Sequence, residues 1–255
     1  MDRVHSWAAG EQVASADLNN IQDEAASLYQ VAWTWRGRRP TLSCTGANLV
    51  VGEHTGVGVG ATQAAAVLVA ACAETTLNLS GLTPSAWYYL YAYDDAGACG
   101  YEWSTTVPDG GLAYKTGDQT RAYVGCFYAT GAALALPFRM VGGRYTYRIS
   151  AVALASLTAY YDATASATYI DLSLATFMPP HSRTARLRVN VAVVTTATWA
   201  GRTNGDTTAA WESPFVPTNT TLEFLVELET DSAQVIEHKS ATDTSETIYV
   251  VGFDE

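Results

Sequence analysis

Charged side chains are scarce in this sequence, and those present are mostly acidic. Only 15% of the 255 residues are charged, with 14 Lys and Arg against 25 Asp and Glu, which sets the net charge at −11. Nucleic-acid binding requires a basic surface that neutralises phosphates, and anionic membrane surfaces likewise attract basic segments. The composition therefore argues against nucleic acid and against a membrane surface as the main partner.

Long apolar runs are also absent. The most apolar stretch, residues 64–72, is far shorter than the roughly 20 residues that a transmembrane helix needs. Residues 1–3 are not followed by the apolar segment of a secretory signal. We therefore expect no membrane insertion, and we expect the protein to be made and assembled in a cytoplasm.

The usual motifs of catalysis, nucleotide binding and metal binding are missing. No G-x-S-x-G elbow of a hydrolase occurs, and the Gly-alternating run 56–60 is not followed by the Lys-Ser/Thr pair of a phosphate loop. The histidines are scattered and no C-x-x-C pair is present, so a zinc ribbon is not expected. We predict a protein that is not an enzyme and that has no metal and no cofactor.

Four cysteines are distributed over the first half of the chain. They are Cys44, Cys72, Cys99 and Cys126. Reduced, buried thiols are expected in a cytoplasm, whereas disulfides form once a protein is released into an oxidising medium. The sequence leaves both alternatives open.

The N-terminal part carries the one pattern typical of a long helix. Ser15 is placed to cap the first turn, and Asp17 lies where the helix dipole favours an acid. Apolar residues then follow at alternating gaps of three and four, the spacing of a helix that packs along its length against another. This seam consists of Leu18, Ile21, Ala25, Leu28, Ala32 and Trp35. We predict a helix over 15–35 that packs on the β body or on copies of itself.

The rest of the chain alternates apolar and polar residues with a period of two. Residues 86–93, 186–193 and 221–229 are the clearest strand candidates, and turn residues separate them from their neighbours. Short strands at near-regular spacing are typical of sandwiches and jelly rolls. We predict a mainly β fold, in which an N-terminal segment (1–40) precedes two antiparallel β-sandwich, jelly-roll-like domains (41–150 and 151–255).

A polar loop in the second half is the best candidate for a variable contact surface. The loop, 201–208, lies between two tryptophans. We predict ligand contacts from Trp199, Asn204, Asp206 and Trp211. Acidic residues concentrate near the end of the chain, with few basic residues nearby, and this pattern predicts a solvated face.

Residues 7–21 show a pattern that leads into the predicted helix. Trp7 is followed by Gly10-Glu11, a small residue or Val, and then Ala-Asp-Leu-Asn. This pattern resembles the start of tailed-bacteriophage virion proteins. The stretches 86–93, 169–173 and 248–253 also resemble parts of these proteins. No collagen-like, β-helical or extended repeat is present, which favours a compact appendage over a long fibre.

The resemblance implies a virion structural protein, assembled in the host cytoplasm, of the tail-fibre, baseplate or head-fibre decoration type. It implies that Trp7, Gly10 and Glu11 attach the protein, and that the seam joins a homotrimer. The implied partners are copies of the chain, other virion proteins, and a host surface glycan or protein. A carbohydrate-binding receptor module is an alternative, as is a polysaccharide depolymerase, which would need paired carboxylates in a groove.

Overall fold

The computed structural model describes most of the chain from residue 39 onward. The described residues are 39–54, 57–59, 67–69, 72–96, 98–148, 155–162, 166–193, 198–208, 210–213, 217–240 and 244–255. The predicted helix, its seam and the attachment residues Trp7, Gly10 and Glu11 lie outside these ranges and stay predictions. Within these ranges, no helix is long and apolar enough to cross a membrane.

The described residues are mainly β, as the alternating pattern predicts. In chain order the strands are β1 (Leu42–Cys44), β2 (Asn48–Val51), β3 (Val57–Val59), β4 (Val67–Val69), β5 (Thr75–Asn78), β6 (Ala86–Asp95), β7 (Ala98–Ser104), β8 (Tyr114–Lys115), β9 (Asp118–Ala129), β10 (Phe138–Val141), β11 (Arg144–Tyr147), β12 (Thr158–Asp162), β13 (Ile170–Ser173), β14 (Thr184–Val193), β15 (Ala200–Thr203), β16 (Trp211–Glu212), β17 (Thr221–Glu229), β18 (Val235–Lys239) and β19 (Thr244–Asp254). A short 3-10 helix, Ala155–Leu157, precedes β12.

The largest sheet is antiparallel and contains strands from both halves of the chain. Its order is β17-β14-β19-β11-β10-β1-β2-β5, with β12 also paired to β19. Strand β19 pairs with β14 along one edge and with β12 and then β11 along the other. The sheet therefore continues across the predicted domain boundary near residue 150. Whether 41–150 and 151–255 fold as separate units stays a prediction.

Two four-stranded sheets pack against the large sheet, and β3 and β4 form a separate two-stranded sheet. The first has the order β7-β6-β9-β8 and the second the order β13-β18-β15-β16. The first sheet contacts the large one through the rings of Trp87 and Phe253, whose centroids are 5.8 Å apart. The second does so through Trp211 of β16 and Phe224 of β17, whose ring centroids are 5.2 Å apart. One continuous hydrophobic core results.

Strand β6 is buried on both of its faces. Tyr88, Tyr89, Leu90 and Tyr91 are all at most 7% exposed. The Tyr91 hydroxyl donates to the Thr106 carbonyl oxygen at 2.6 Å, which satisfies a polar group that burial would otherwise leave unpaired. The aromatic run is therefore core.

The acidic residues near the end of the chain do not form one solvated face. Glu223 forms an ion pair with Arg188 on the adjacent strand β14. Glu227 forms one with Arg144 on β11 of the same sheet. The side chains of Glu246 and Glu255 are fully buried. The predicted solvated face is therefore wrong for these last two, because the fold covers both side chains and places hydrogen-bond donors beside their carboxyl groups.

Candidate functional site

A buried carboxylate lies directly after β19. The side chain of Glu255 is 0% exposed. Its Oε1 atom accepts hydrogen bonds from Tyr123 Oη at 2.6 Å, His181 Nε2 at 2.8 Å and Cys126 Sγ at 3.2 Å. Its Oε2 atom accepts a hydrogen bond from Nη1 of Arg39. Five residues from four separate parts of the chain thus meet at one carboxylate, which we call the Glu255 cluster.

A β-bulge in β9 brings two of these donors to the same side of the sheet. Leu90 of β6 pairs with Gly125, and Tyr91 pairs with Tyr123, so Val124 is the extra residue. Side chains three positions apart on a regular strand point to opposite faces, and one inserted residue reverses that relation. The bulge is therefore the reason why Tyr123 and Cys126 both reach Glu255.

The cluster holds an ionised carboxylate among protonated donors. Burial by itself raises the pKa of Glu255, but the hydrogen bond and charge of His181 and the charge of Arg39 outweigh it, so the pKa lies below its ordinary value. Burial raises the pKa of Tyr123 and of Cys126 well above their ordinary values. The Cys126 thiol therefore stays protonated, which disfavours it as a nucleophile.

The same atoms have the composition of a metal centre but the wrong electrostatics. One ligand atom each from Cys126, His181 and Glu255 lie within 4.8 Å of one another. However, Arg39 already neutralises the carboxylate, and a cation placed beside a guanidinium is repelled. Tyr123 occupies a further lone pair of the carboxylate. The arrangement fits a structural anchor better than a metal site.

A second buried acid lies between the large sheet and the smaller sheet of the second half. Nε1 of Trp199 donates to Oε1 of Glu246, and Nδ1 of His238 lies 2.9 Å from the same oxygen. The ring of Tyr160 packs edge-on against His238, with centroids 4.4 Å apart. The side chains of Trp199, His238 and Glu246 are all at most 1% exposed. This group therefore belongs to the core.

Of the two tryptophans predicted as ligand contacts, one is buried and the other is half-buried. Trp199 is 0% exposed, so a ligand at the surface does not reach it, and its predicted contact role is corrected to a core role. Trp211 is half-buried and stacks on Phe224, with ring centroids 5.2 Å apart. Removing the apolar surface of an indole from water lowers the free energy of the folded protein. This gain explains why both tryptophans pack against other rings.

The two polar residues predicted as ligand contacts both make hydrogen bonds within the protein, Asn204 to a residue after β17 and Asp206 within its own loop. Nδ2 of Asn204 donates to Oδ2 of Asp231 at 2.8 Å. Oδ1 of Asp206 accepts hydrogen bonds from the Thr208 backbone amide and hydroxyl, both at 2.8 Å. Residues 200–203 of this region form strand β15. A role of Asn204 and Asp206 in ligand contact stays a prediction.

Only two of the four cysteines are bonded to each other in the structure. Cys72 and Cys99 form a disulfide, whereas Cys44 and Cys126 are free and buried. Both alternatives that the sequence left open therefore occur, each for one pair.

The Glu255 cluster was missed by sequence reasoning. Its members are up to 216 positions apart, and no local spacing connects them. In the sequence, Arg39 is the last of three closely spaced arginines, and Glu255 is one of several acids near the end of the chain. Only the tertiary structure shows that these residues lie together.

Comparison with known proteins yields little. No protein-family model and no curated protein matches the chain. One solved structure that matches is the crystal structure of a Bacillus thuringiensis Cry1Da tryptic core variant, at 7% sequence identity and a TM-score of 0.26. The match covers 86% of this chain and 51% of that one, so the chain spans about half its length. A likeness this weak supports no conclusion about fold or function.

Proposed function

We propose that this chain is a non-enzymatic structural protein of a tailed-phage virion, of the tail-fibre, baseplate or head-fibre decoration type. In this proposal, residues 1–40 dock onto the virion and join a homotrimer through a helix over 15–35. Two β-sandwich, jelly-roll-like units then face outward for adhesion or for stabilisation of the particle. The resemblance of residues 7–21 to the start of such virion proteins supports the assignment.

The observation that carries the proposal is the junction at Arg39. Residue 39 lies at the end of the predicted attachment segment (1–40), and its guanidinium is paired with the buried carboxylate of Glu255. The same guanidinium lies 5.1 Å from the ring centroid of Tyr123, a cation–π distance. Flexible linkers lack such anchoring. A fixed junction suits an appendage whose β body must keep its orientation relative to the docking segment.

The decisive experiment is the native mass of the full chain and of a truncated chain, residues 39–255, by multi-angle light scattering. The truncation keeps Arg39, so that the Glu255 cluster stays intact and any change reports on residues 1–38. We expect a trimer that becomes a monomer. A full chain that is monomeric at micromolar concentration contradicts the homotrimer.

Point variants test the seam separately. Leu18→Asp together with Ile21→Asp should give monomers, because two charges in an apolar interface cost more than the contacts gain. The matched control is Asn20→Asp together with Gln22→Glu, which changes residues outside the seam and should leave the trimer intact. Unchanged trimers in both variants would exclude the seam as the trimer contact.

A carbohydrate-binding receptor module is the second candidate, and one surface feature favours it. A polar cleft of about 420 Å³ is lined by Asp109, Tyr114, Lys115 and residues 117–120, and small-ligand sites are often of this size. Binding on a glycan array that is lost in Tyr114→Ala, but kept in Trp211→Ala, would support this candidate. Release of sugar from host polysaccharide by the pure protein would instead support a depolymerase.

A further inference from the structure

His54, Cys72 and Cys99 meet at one point, although they are far apart in sequence. His54 and Cys72 lie directly opposite each other in an antiparallel bridge and exchange both backbone hydrogen bonds, at 3.0 and 2.8 Å. Cys99 of β7 reaches the same point through its bond to Cys72. A ring nitrogen of His54 and both sulfur atoms lie within 4.8 Å of one another.

The imidazole of His54 is oriented as a metal-binding histidine would be. Its Nδ1 atom lies 3.1 Å from the Gly52 carbonyl oxygen, and because a carbonyl only accepts, Nδ1 carries the proton. The lone pair is then on Nε2. Histidine ligands of zinc usually donate their other N–H to a carbonyl or carboxylate in this manner.

The free nitrogen of His54 is buried and has no hydrogen-bond partner among the described residues. His54 is 8% exposed, and its Nε2 atom is inaccessible and unpaired. The hydroxyl of Tyr101 is also buried and unpaired, and its ring centroid is 6.2 Å from that of His54. Buried polar atoms are nearly always paired. An unpaired nitrogen beside two sulfur atoms therefore indicates a ligand that these groups would share.

We propose that His54, Cys72 and Cys99 form a zinc site when the disulfide is reduced. Two thiolates and one imidazole nitrogen are a ligand set that tetrahedral Zn²⁺ favours, and water would take the fourth position. Oxidation and metal binding then exclude each other, because both use the same two sulfur atoms. The protein would hold Zn²⁺ in a reducing compartment and a disulfide in an oxidising one.

The chemistry balances with a dithiol as the reductant. The dithiol transfers two electrons and two protons to the Cys72–Cys99 bond, which breaks to give two thiols, while the dithiol closes to its own disulfide. Zn²⁺ then displaces the two thiol protons, which pass to solvent. In the reverse direction, an organic disulfide takes two electrons from the thiolates, and its own S–S bond breaks to give two thiolates that take up protons from solvent. Zn²⁺ leaves as the Sγ–Sγ bond forms.

The test uses the full chain, in its oxidised form and after reduction with a dithiol that is then removed without air. Co²⁺ serves as the spectroscopic probe, because tetrahedral thiolate coordination gives charge-transfer and intense visible bands. The reduced protein should bind one Co²⁺, which Zn²⁺ displaces, and the oxidised protein should bind none. Absence of these bands in the reduced protein overturns the proposal.

Variants assign the ligands. Loss of a residue that only hydrogen-bonds a metal ligand weakens metal binding by about 10–100-fold. His54→Ala removes a ligand itself and should therefore weaken Zn²⁺ binding by at least that factor. The control, Cys44→Ala with Cys126→Ala, removes the two free thiols and should leave binding unchanged. Equal binding by His54→Ala overturns the role of His54, and loss in the control overturns the assignment of the thiols. X-ray absorption of the unaltered protein, reduced and loaded with Zn²⁺, should show two sulfur ligands and two nitrogen or oxygen ligands, one from His54 and one from water. This result does not depend on how any variant folds.

Discussion

The guanidinium of Arg39 and the carboxylate of Glu255 form an ion pair between positions 216 residues apart. The Glu255 side chain is fully buried, and that of Arg39 is 27% exposed. The pair ties the residue that precedes β1 to the end of β19. Removing one partner leaves a buried charge without compensation, which costs more than a surface pair contributes.

Glu255→Gln should lower the free energy of unfolding by about 3–5 kcal/mol, the cost of breaking a buried ion pair. The control is Glu227→Gln, whose side chain is 51% exposed and also faces an arginine. An exposed pair contributes at most about 1 kcal/mol. Urea denaturation of the unaltered protein and the two variants measures both losses of unfolding free energy, provided that the dependence on urea concentration is the same for all three. Equal losses in the two variants would contradict the anchoring role of Glu255.

Acid should destabilise the protein through the same carboxylate. The pKa of Glu255 in the folded state lies below its ordinary value of 4.5, so the folded state favours the ionised form. Its contribution is complete above pH 4.5 and is lost as the pH falls through the lower folded pKa. The difference in unfolding free energy between the unaltered protein and Glu255→Gln should therefore shrink below pH 4.5. A difference that is constant or that grows in acid would contradict the direction of this shift.

Trp199→Phe should destabilise the core of the second half. The change removes the N–H that donates to Glu246. A buried carboxyl oxygen then loses a hydrogen bond, at a cost of about 3 kcal/mol. Trp87→Phe is the control, because its indole donates to the Ala175 carbonyl oxygen at an exposed position, at 3.0 Å. That variant should lose about 1 kcal/mol. Thermal unfolding followed by circular dichroism distinguishes the two, and equal losses would argue against a special role of the buried indole.

Gly252→Ala should be among the most damaging small substitutions in the large sheet. An added Cβ atom would lie 2.1 Å from the carbonyl oxygen of Tyr145 on β11, so the paired strands must separate. Overpacking of this kind costs about 1–3 kcal/mol or more. Gly110→Ala is the control, because nothing lies within 4 Å of its added Cβ atom. Urea denaturation should show a loss only for Gly252→Ala, and a neutral result there would mean that the strands yield easily.

Much of the β framework could be predicted from local pattern. The predicted strands 86–93, 186–193 and 221–229 correspond to β6, β14 and β17, because side-chain alternation and turn residues are local properties. Strands β15 and β16 were missed and fell within or beside a predicted loop, since strands of four and two residues carry too little pattern. Their pairing depends on partners elsewhere in the sheet.

The candidate sites could not be predicted in the same way. Short sequence motifs carry no signal for the zinc site, because His54, Cys72 and Cys99 are brought together by an antiparallel bridge and a strand from another sheet. The contact role predicted for Trp199 came from its place beside a polar loop. A loop position does not determine burial, which depends on what packs above it.

The mainly β character, the low charge and the turn positions follow from residue type and from neighbours along the chain, so the sequence predicts them. Contacts between distant residues arise from the fold, among them Glu255 with Arg39, Glu246 with Trp199, and the bond of Cys99 to Cys72 rather than to Cys44. Such contacts depend on how the strands align, and a one-residue bulge in β9 likewise turns Tyr123 and Cys126 to the same face. A one-residue shift reverses which face each side chain occupies, and the sequence of a single strand does not encode the register of its partner.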